Sequence, residues 1–179
     1  MNKPAVFIGS STEGLKVARA IRDQLNDDAL ITIWNEDENF KPGRSTLGSL
    51  MIAVKRYDFA ILVFTADDEV TSRGAVSLAP RDNVLFELGL FMGHLDRERT
   101  FIVYNKKDNV KIPSDFQGIN CPVYESRSDN LTADLGRACN KIRQENRQAR
   151  RFSEKLVVYG SRRSLPDIKR LHFSDIPRY

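Results

Sequence analysis

Cysteine is scarce in this chain, with only Cys121 and Cys139 among 179 residues. Two such residues make no disulfide framework, and neither has a His or Cys neighbour at metal-binding spacing, so no metal site is expected. Histidine is equally thin: His94 and His172 lie far apart and do not form a ligand pair. No apolar run approaches the roughly 18 residues a membrane span requires. The N-terminus lacks the basic segment, apolar core and cleavage site of a secretory signal. These absences point to a cytoplasmic protein with no membrane partner. Also missing are the GxxxxGK[ST] phosphate loop and the GxGxxG dinucleotide fingerprint, so ATP hydrolysis and hydride transfer lose their usual signatures. No bound cofactor is called for.

What is present suits one α/β domain with a short appendage: 20.4 kDa, 41% apolar and 29% charged. The net charge of +4 is unevenly spread. Residues 1–136 carry 16 Lys/Arg against 20 Asp/Glu, whereas residues 137–179 carry 12 against 4. The basic character therefore belongs to the tail, either as a solvated helix face or as an electrostatic surface for a partner. No aromatic residue interleaves the basic ones between Arg137 and Arg151, which argues against nucleic acid.

Strand and helix signals alternate along the first 150 residues. Ala5–Ile8, Ile31–Trp34, Phe59–Phe64, Thr100–Tyr104 and Pro122–Tyr124 read as strands, short and apolar. Leu15, Ala18, Ile21 and Leu25 mark a helix, capped by Ser11 or Thr12. Leu47, Leu50, Met51 and Val54 mark another, and Leu131, Leu135, Ala138, Cys139 and Ile142 the inner face of a last one. Residues 65–80 read as a long loop. Repeating strand–helix units imply right-handed crossovers and a parallel sheet. The expected architecture is flavodoxin-like: five parallel strands in the order 2-1-3-4-5 with helices on both faces. Residues 1–150 form the domain and 151–179 a basic tail or linker; Lys155–Tyr159 reads as a further strand or the opening of another domain.

In such a sheet, ligands collect beyond the carboxyl ends of the strands where the order reverses. That rule selects Gly9, Ser10 and Ser11 after the first strand, Trp34 after the second, and the helix that follows Pro80. In FIGSS, residues 7–11, the Gly and two hydroxyls either cap a helix or bind an anion there. Trp34, the sole Trp, either stacks a ring or caps the core. Arg81 either grips a phosphate or tethers a carboxylate of the 65–80 segment. Asp82 or Asn83 serves as N-cap, and Asn83 lies one turn before Glu87. Glu87 interrupts the run VLFELGLFM, apolar or Gly at every other position. A carboxylate among Val84, Leu88, Leu90 and Phe91 is costly to bury. Either it pairs with a cation on the helix flank, or it faces a pocket with a raised pKa and carries chemistry. Gly89 beside it permits close approach.

The stretches FIGSSTEGLKVARAI, W-N with F-x-P-G-x-S-T downstream, YDFAILVFTADD, SRG, APRDNVLFELGLFMG and IPSDFQGI follow one another in order, within a likeness that spans about residues 3–145. In this the chain resembles the TIR-domain effectors of bacterial anti-phage cyclic-nucleotide signalling, the TIR domains of bacterial STING fusions and of Pycsar effectors. The resemblance implies NAD+ hydrolysis to nicotinamide and ADP-ribose products, depleting NAD+ in antiviral defence, with Glu87 as the catalytic residue. It implies a homo-oligomer, built through TIR–TIR contacts that use the loop Glu36–Thr46. It further implies a cyclic-nucleotide-sensing domain or partner not visible in these residues.

One placed carboxylate is enough for that chemistry. Nicotinamide leaves ribose as a neutral amine and needs no acid, and the difficulty is the oxocarbenium-like sugar. A carboxylate beside it stabilises that charge and aligns the attacking hydroxyl or water. Two other readings stay open: a nucleoside deoxyribosyltransferase-like N-glycosidase, and a TIR used only as a non-catalytic interaction module.

Overall fold

A computed structural model describes residues 3–36, 46–72, 74–112, 114–116, 121–127 and 129–160. Its centre is a five-stranded parallel sheet in the order β2-β1-β3-β6-β7. The strands are β1 (Ala5–Ser10), β2 (Leu30–Ile33), β3 (Phe59–Phe64), β6 (Thr100–Asn105) and β7 (Val123–Tyr124). Between β3 and β6 lies a separate antiparallel hairpin, β4 (Asp68–Ser72) and β5 (Ala75–Ala79). With the hairpin set aside, the sheet has the 2-1-3-4-5 order that the strand–helix alternation implied.

Two apolar layers clamp the sheet. Val6, Ile8, Phe59, Ile61, Val63, Phe101 and Val103 face α1 (Leu15–Leu25) and α4 (Leu131–Gly160). The alternate residues Phe7, Ala60, Leu62, Phe64 and Ile102 face α2 (Thr46–Ala53) and α3 (Asp82–Leu95). Because β3 is covered on both sides, all six of its residues are buried, and the period-2 alternation of an exposed sheet disappears. The pairing of Gly9 with Leu62 and of Ser10 with Val63 fixes the carboxyl ends of β1 and β3 side by side. Phe7 stacks on Phe91 with centroids 4.7 Å apart, seating α3 over β1.

Four sequence expectations need correction. Residues 65–80 are not a loop: ten of them form the hairpin, and Gly74, just before β5, has φ +79°. Lys155–Tyr159 is not a strand, since α4 runs unbroken to Gly160. Neither Asp82 nor Asn83 is an N-cap; Arg81 holds that position without a side-chain cap, and Asp82 is already helical. Met51 is exposed, and Leu50, Ala53 and Val54 supply the buried face of the second helical segment. The helical stripes on α1 and α4 are as expected, with Ala18, Ile21 and Leu25 against Leu135, Cys139 and Ile142 in one core. Among the described residues, no helix is long and apolar enough to cross a membrane.

Candidate functional site

The switch point at β1 and β3 is built around a glycine. Strand alternation turns Phe7 and Gly9 to the α3 side of the sheet, and Leu62 arrives beside Gly9 from β3. On α3, Val84, Leu88, Phe91 and Leu95 bury one stripe, and Glu87 borders it. Its carboxylate comes down on Gly9: a Cβ added there would stand 2.5 Å from Glu87 Oε2 and 2.6 Å from Leu62 Cδ1. Only the missing side chain leaves that space.

Glu87 Oε2 is shielded from solvent and has no hydrogen-bond partner, although the residue as a whole keeps some exposed surface. Among the described residues no Arg or Lys pairs with Glu87 Oε2, which disfavours the flank-pairing alternative. Burial alone raises its pKa from 4.5 to about 7, as expected of a carboxyl held among apolar neighbours. A buried, unpartnered carboxyl of this kind marks a candidate functional group.

The neighbouring hydroxyls are tethered. Trp34 Nε1 donates to Ser10 Oγ at 3.1 Å, which holds the indole across the ends of β1 and β2 in contact with both apolar layers. Ser11 Oγ accepts the Gly14 N–H at 3.1 Å and lies 3.0 Å from Thr65 Oγ1, but neither Ser11 nor Thr12 is the N-cap of α1: Gly14 holds that position without a side-chain cap. Thr65 in turn donates to Asp67 Oδ2 at 2.8 Å. Arg81 takes the tethering role, pairing with Glu13 at 2.9 Å and Asp68 at 3.9 Å.

Sequence reasoning missed Glu13, Gly14, Thr65 and Asp67. The signal was there in STEG after the first strand and TADD after the third, two polar turns that the topology sets side by side. Asp82 and Asn83 are exposed at the start of α3, with Asn83 one turn from Glu87 on the same face. Gly89 faces open space, so the close approach occurs at Gly9 instead. Most of the Glu36–Thr46 loop, residues 37–45, lies outside the described residues. A separate cavity of about 610 Å³ beside β7, lined by Tyr104, Lys106, Tyr124, Glu125, Arg127 and Arg137 among others, contains none of these groups. Among the described residues, no His/Cys/Asp/Glu cluster could hold a metal ion.

A family model described as "CAP12/Pycsar effector protein, TIR domain" matches residues 5–126, a span that holds every residue of the site. The chain belongs to this TIR family. It is 40% identical over 141 residues to the Pycsar effector protein PaPycTIR of Pseudomonas aeruginosa, covering 77% of this chain and 46% of that one. It is 40% identical over 133 residues to CD-NTase-associated protein 12 of Niabella drilacis, covering 72% and 42%. A third relative, Pycsar effector protein BcPycTIR of Burkholderia cepacia, is 38% identical over 144 residues, covering 79% and 47%. The chain thus spans less than half the length of these curated relatives. The TIR match agrees with the five-stranded order, which places the α3 carboxylate at the switch point of the TIR sheet.

Proposed function

We propose that this TIR domain is an NAD+ glycohydrolase, cleaving the bond between nicotinamide and ribose, and that it works when assembled with other copies. The observation that carries the reading is Glu87 Oε2, buried without a partner on Gly9 at the carboxyl end of β1. A carboxyl with a pKa near 7 is about half neutral at physiological pH, which eases the cost of keeping it in an apolar setting. Approach of the cationic nicotinamide ring favours the ionised form, so binding substrate itself sharpens the charge that the reaction uses. As the glycosidic bond lengthens, positive charge moves from the ring to the sugar, and the carboxylate stabilises it there. Nicotinamide departs neutral, and water or a ribose hydroxyl completes the substitution. Gly9, Ser10, Ser11 and Trp34 at the ends of β1 and β2 and Asp82 and Asn83 at the start of α3 are assigned to substrate binding. Arg81, tethered to Glu13 and Asp68, would have to exchange that pairing for a substrate phosphate to join them. The names of the relatives set those proteins in Pycsar and CD-NTase systems. For this chain we carry over the same setting: NAD+ depletion in anti-phage defence, triggered by a cyclic nucleotide sensed by a domain or partner beyond these residues. Residues 1–150 serve as the TIR unit and the basic segment 151–179 as a tail or a linker to a further domain.

The test is to incubate the chain with NAD+ over a range of protein concentrations and follow nicotinamide by chromatography. Wild type releases nicotinamide with a rate that rises faster than linearly with protein. Glu87→Gln, folded by circular dichroism, releases none. Wild type that leaves NAD+ intact even when concentrated or crowded establishes the non-catalytic module instead.

A further inference from the structure

The β4–β5 hairpin takes no part in the chemistry above, yet both its legs end on the turn that carries the site. On the entry leg, Thr65 Oγ1 donates to Asp67 Oδ2. A hydroxyl has one hydrogen, so Thr65 can only accept from Ser11, 3.0 Å away. Ser11 Oγ itself accepts the Gly14 N–H. The bonds therefore run one way, from Gly14 through Ser11 and Thr65 to a carboxylate. Asp67 also closes the hairpin base, its N–H donating to the Ala79 carbonyl at 3.2 Å.

On the exit leg, Arg81 reaches back to Glu13 in the same turn and to Asp68 at the start of β4. The Glu13 carboxyl is held below its ordinary range, chiefly by its own backbone N–H and then by Arg81. The β1–α1 turn thus stands between two arms, one to each leg of the hairpin: Ser11 to Thr65, and Glu13 to Arg81. Two residues before Ser11 is Gly9, on which the Glu87 carboxylate rests. The turn has little slack, because a Cβ at Gly14 would lie 3.1 Å from Ser10 Cβ. The outer part of the hairpin presents Val70 and Val76 to solvent, Val76 at 65% exposure. A displacement there reaches the turn through these two arms.

We propose that Thr65 and Asp67 are positioning residues: they latch the hairpin onto the β1–α1 turn and so fix the place where Gly9 holds the Glu87 carboxylate. Neither touches substrate, and the role rests on the glycohydrolase reading of Glu87. A hairpin latch with only a structural role would cost stability and leave turnover per folded molecule unchanged.

The test measures kcat and KM for nicotinamide release by the full chain carrying Thr65→Val, Asp67→Ala or both. A misplacement near 1 Å costs on the order of 100-fold, so each single change is expected to lower kcat by roughly 10–100-fold with KM little altered. The double variant falls no further than either single, because both cut the same chain of bonds. Thr65→Ser, which restores the hydroxyl, recovers most of the loss relative to Thr65→Val. Trp34 gives a readout independent of turnover: its indole is bonded to Ser10, and its emission shifts in both single variants but not in Thr65→Ser. Should Asp67→Ala fail to fold, Thr65→Val carries the test alone, since it keeps the side-chain volume. An active wild type whose variants retain full kcat per folded molecule, or whose losses add in the double, overturns the latch and leaves the glycohydrolase standing. A wild type that never releases nicotinamide overturns both.

Discussion

Glu87→Gln should stabilise the protein while abolishing its proposed activity, and the gain should depend on pH in a defined way. In the folded chain the Glu87 carboxyl titrates near 7, against an ordinary value of 4.5. Below pH 4.5 it is neutral folded or unfolded and costs nothing to bury. Between 4.5 and 7 the unfolded chain ionises while the folded chain holds its proton, so stability falls as pH rises. Above 7 both forms are ionised and the full penalty is present. At about 1.4 kcal/mol for each tenfold change, the span from 4.5 to about 7 amounts to roughly 3 kcal/mol. Part of the residue still meets solvent, so this is an upper bound and a penalty of about 1–3 kcal/mol is expected. Gln does not titrate, and any fixed cost of packing its amide cancels when two pH values are compared. For a chain of this size about 1 kcal/mol moves Tm by roughly 2–4 °C. Melting curves at pH 4 and pH 8 should therefore show Tm(Gln) minus Tm(Glu) growing by several degrees at the higher pH. A difference that stays constant, or shrinks, would mean that the carboxyl is hydrated or paired, and the reasoning would be refuted.

Gly9→Ala places a methyl group 2.5 Å from Glu87 Oε2, so about 1–3 kcal/mol of stability should be lost in denaturant titration, together with most of the nicotinamide release. Trp34→Phe keeps the ring and removes the donor to Ser10, which should cost about 1 kcal/mol by chemical unfolding followed in the far ultraviolet. Asp28 accepts from Arg143 at 2.5 Å and Arg147 at 3.2 Å, fastening α4 to the turn before β2. Burial by itself would raise the Asp28 carboxyl, but the Arg143 and Arg147 bonds outweigh it and hold the pKa below 3.8. The stabilisation is then present above pH 3.8 and lost as pH falls through the lowered value. Asp28→Asn should therefore cost up to about 1 kcal/mol at pH 7, and that cost should vanish in strong acid.

The parallel sheet was legible because its strands are buried on both faces: FAILVF can be little else when Asp58 and Thr65 bound it. Glu87 was legible for the complementary reason, a charge where the pattern demands an apolar group. The hairpin was not. DEVTS opens with two acids, and its partner AVSLA is too short for periodicity to stand out, so only the Gly74 turn gave a hint. Local capping rules also misled at Asp82: the helix takes Arg81 as its N-cap and begins at Asp82, earlier than the side-chain preferences of Asp82 and Asn83 suggest. The role of Gly9 was half visible. Its place after a strand was clear, but that the space it leaves belongs to a carboxylate 78 residues later depends on how α3 crosses β1, which Phe7 and Phe91 decide. The same holds for Thr65 and Asp67, ordinary turn residues until strand order brings them to Ser11.

The most direct measurement is a carbon-13 titration of the Glu87 carboxyl, first in the free protein and then with an NAD+ analogue whose nicotinamide–ribose bond cannot be cleaved but whose ring keeps its positive charge. The expected midpoint is about 7 for the free protein, with a marked fall once the cationic ring is bound. A midpoint at the ordinary 4.5 in both samples, unmoved by the analogue, would contradict the placement of this carboxyl beside the reacting sugar.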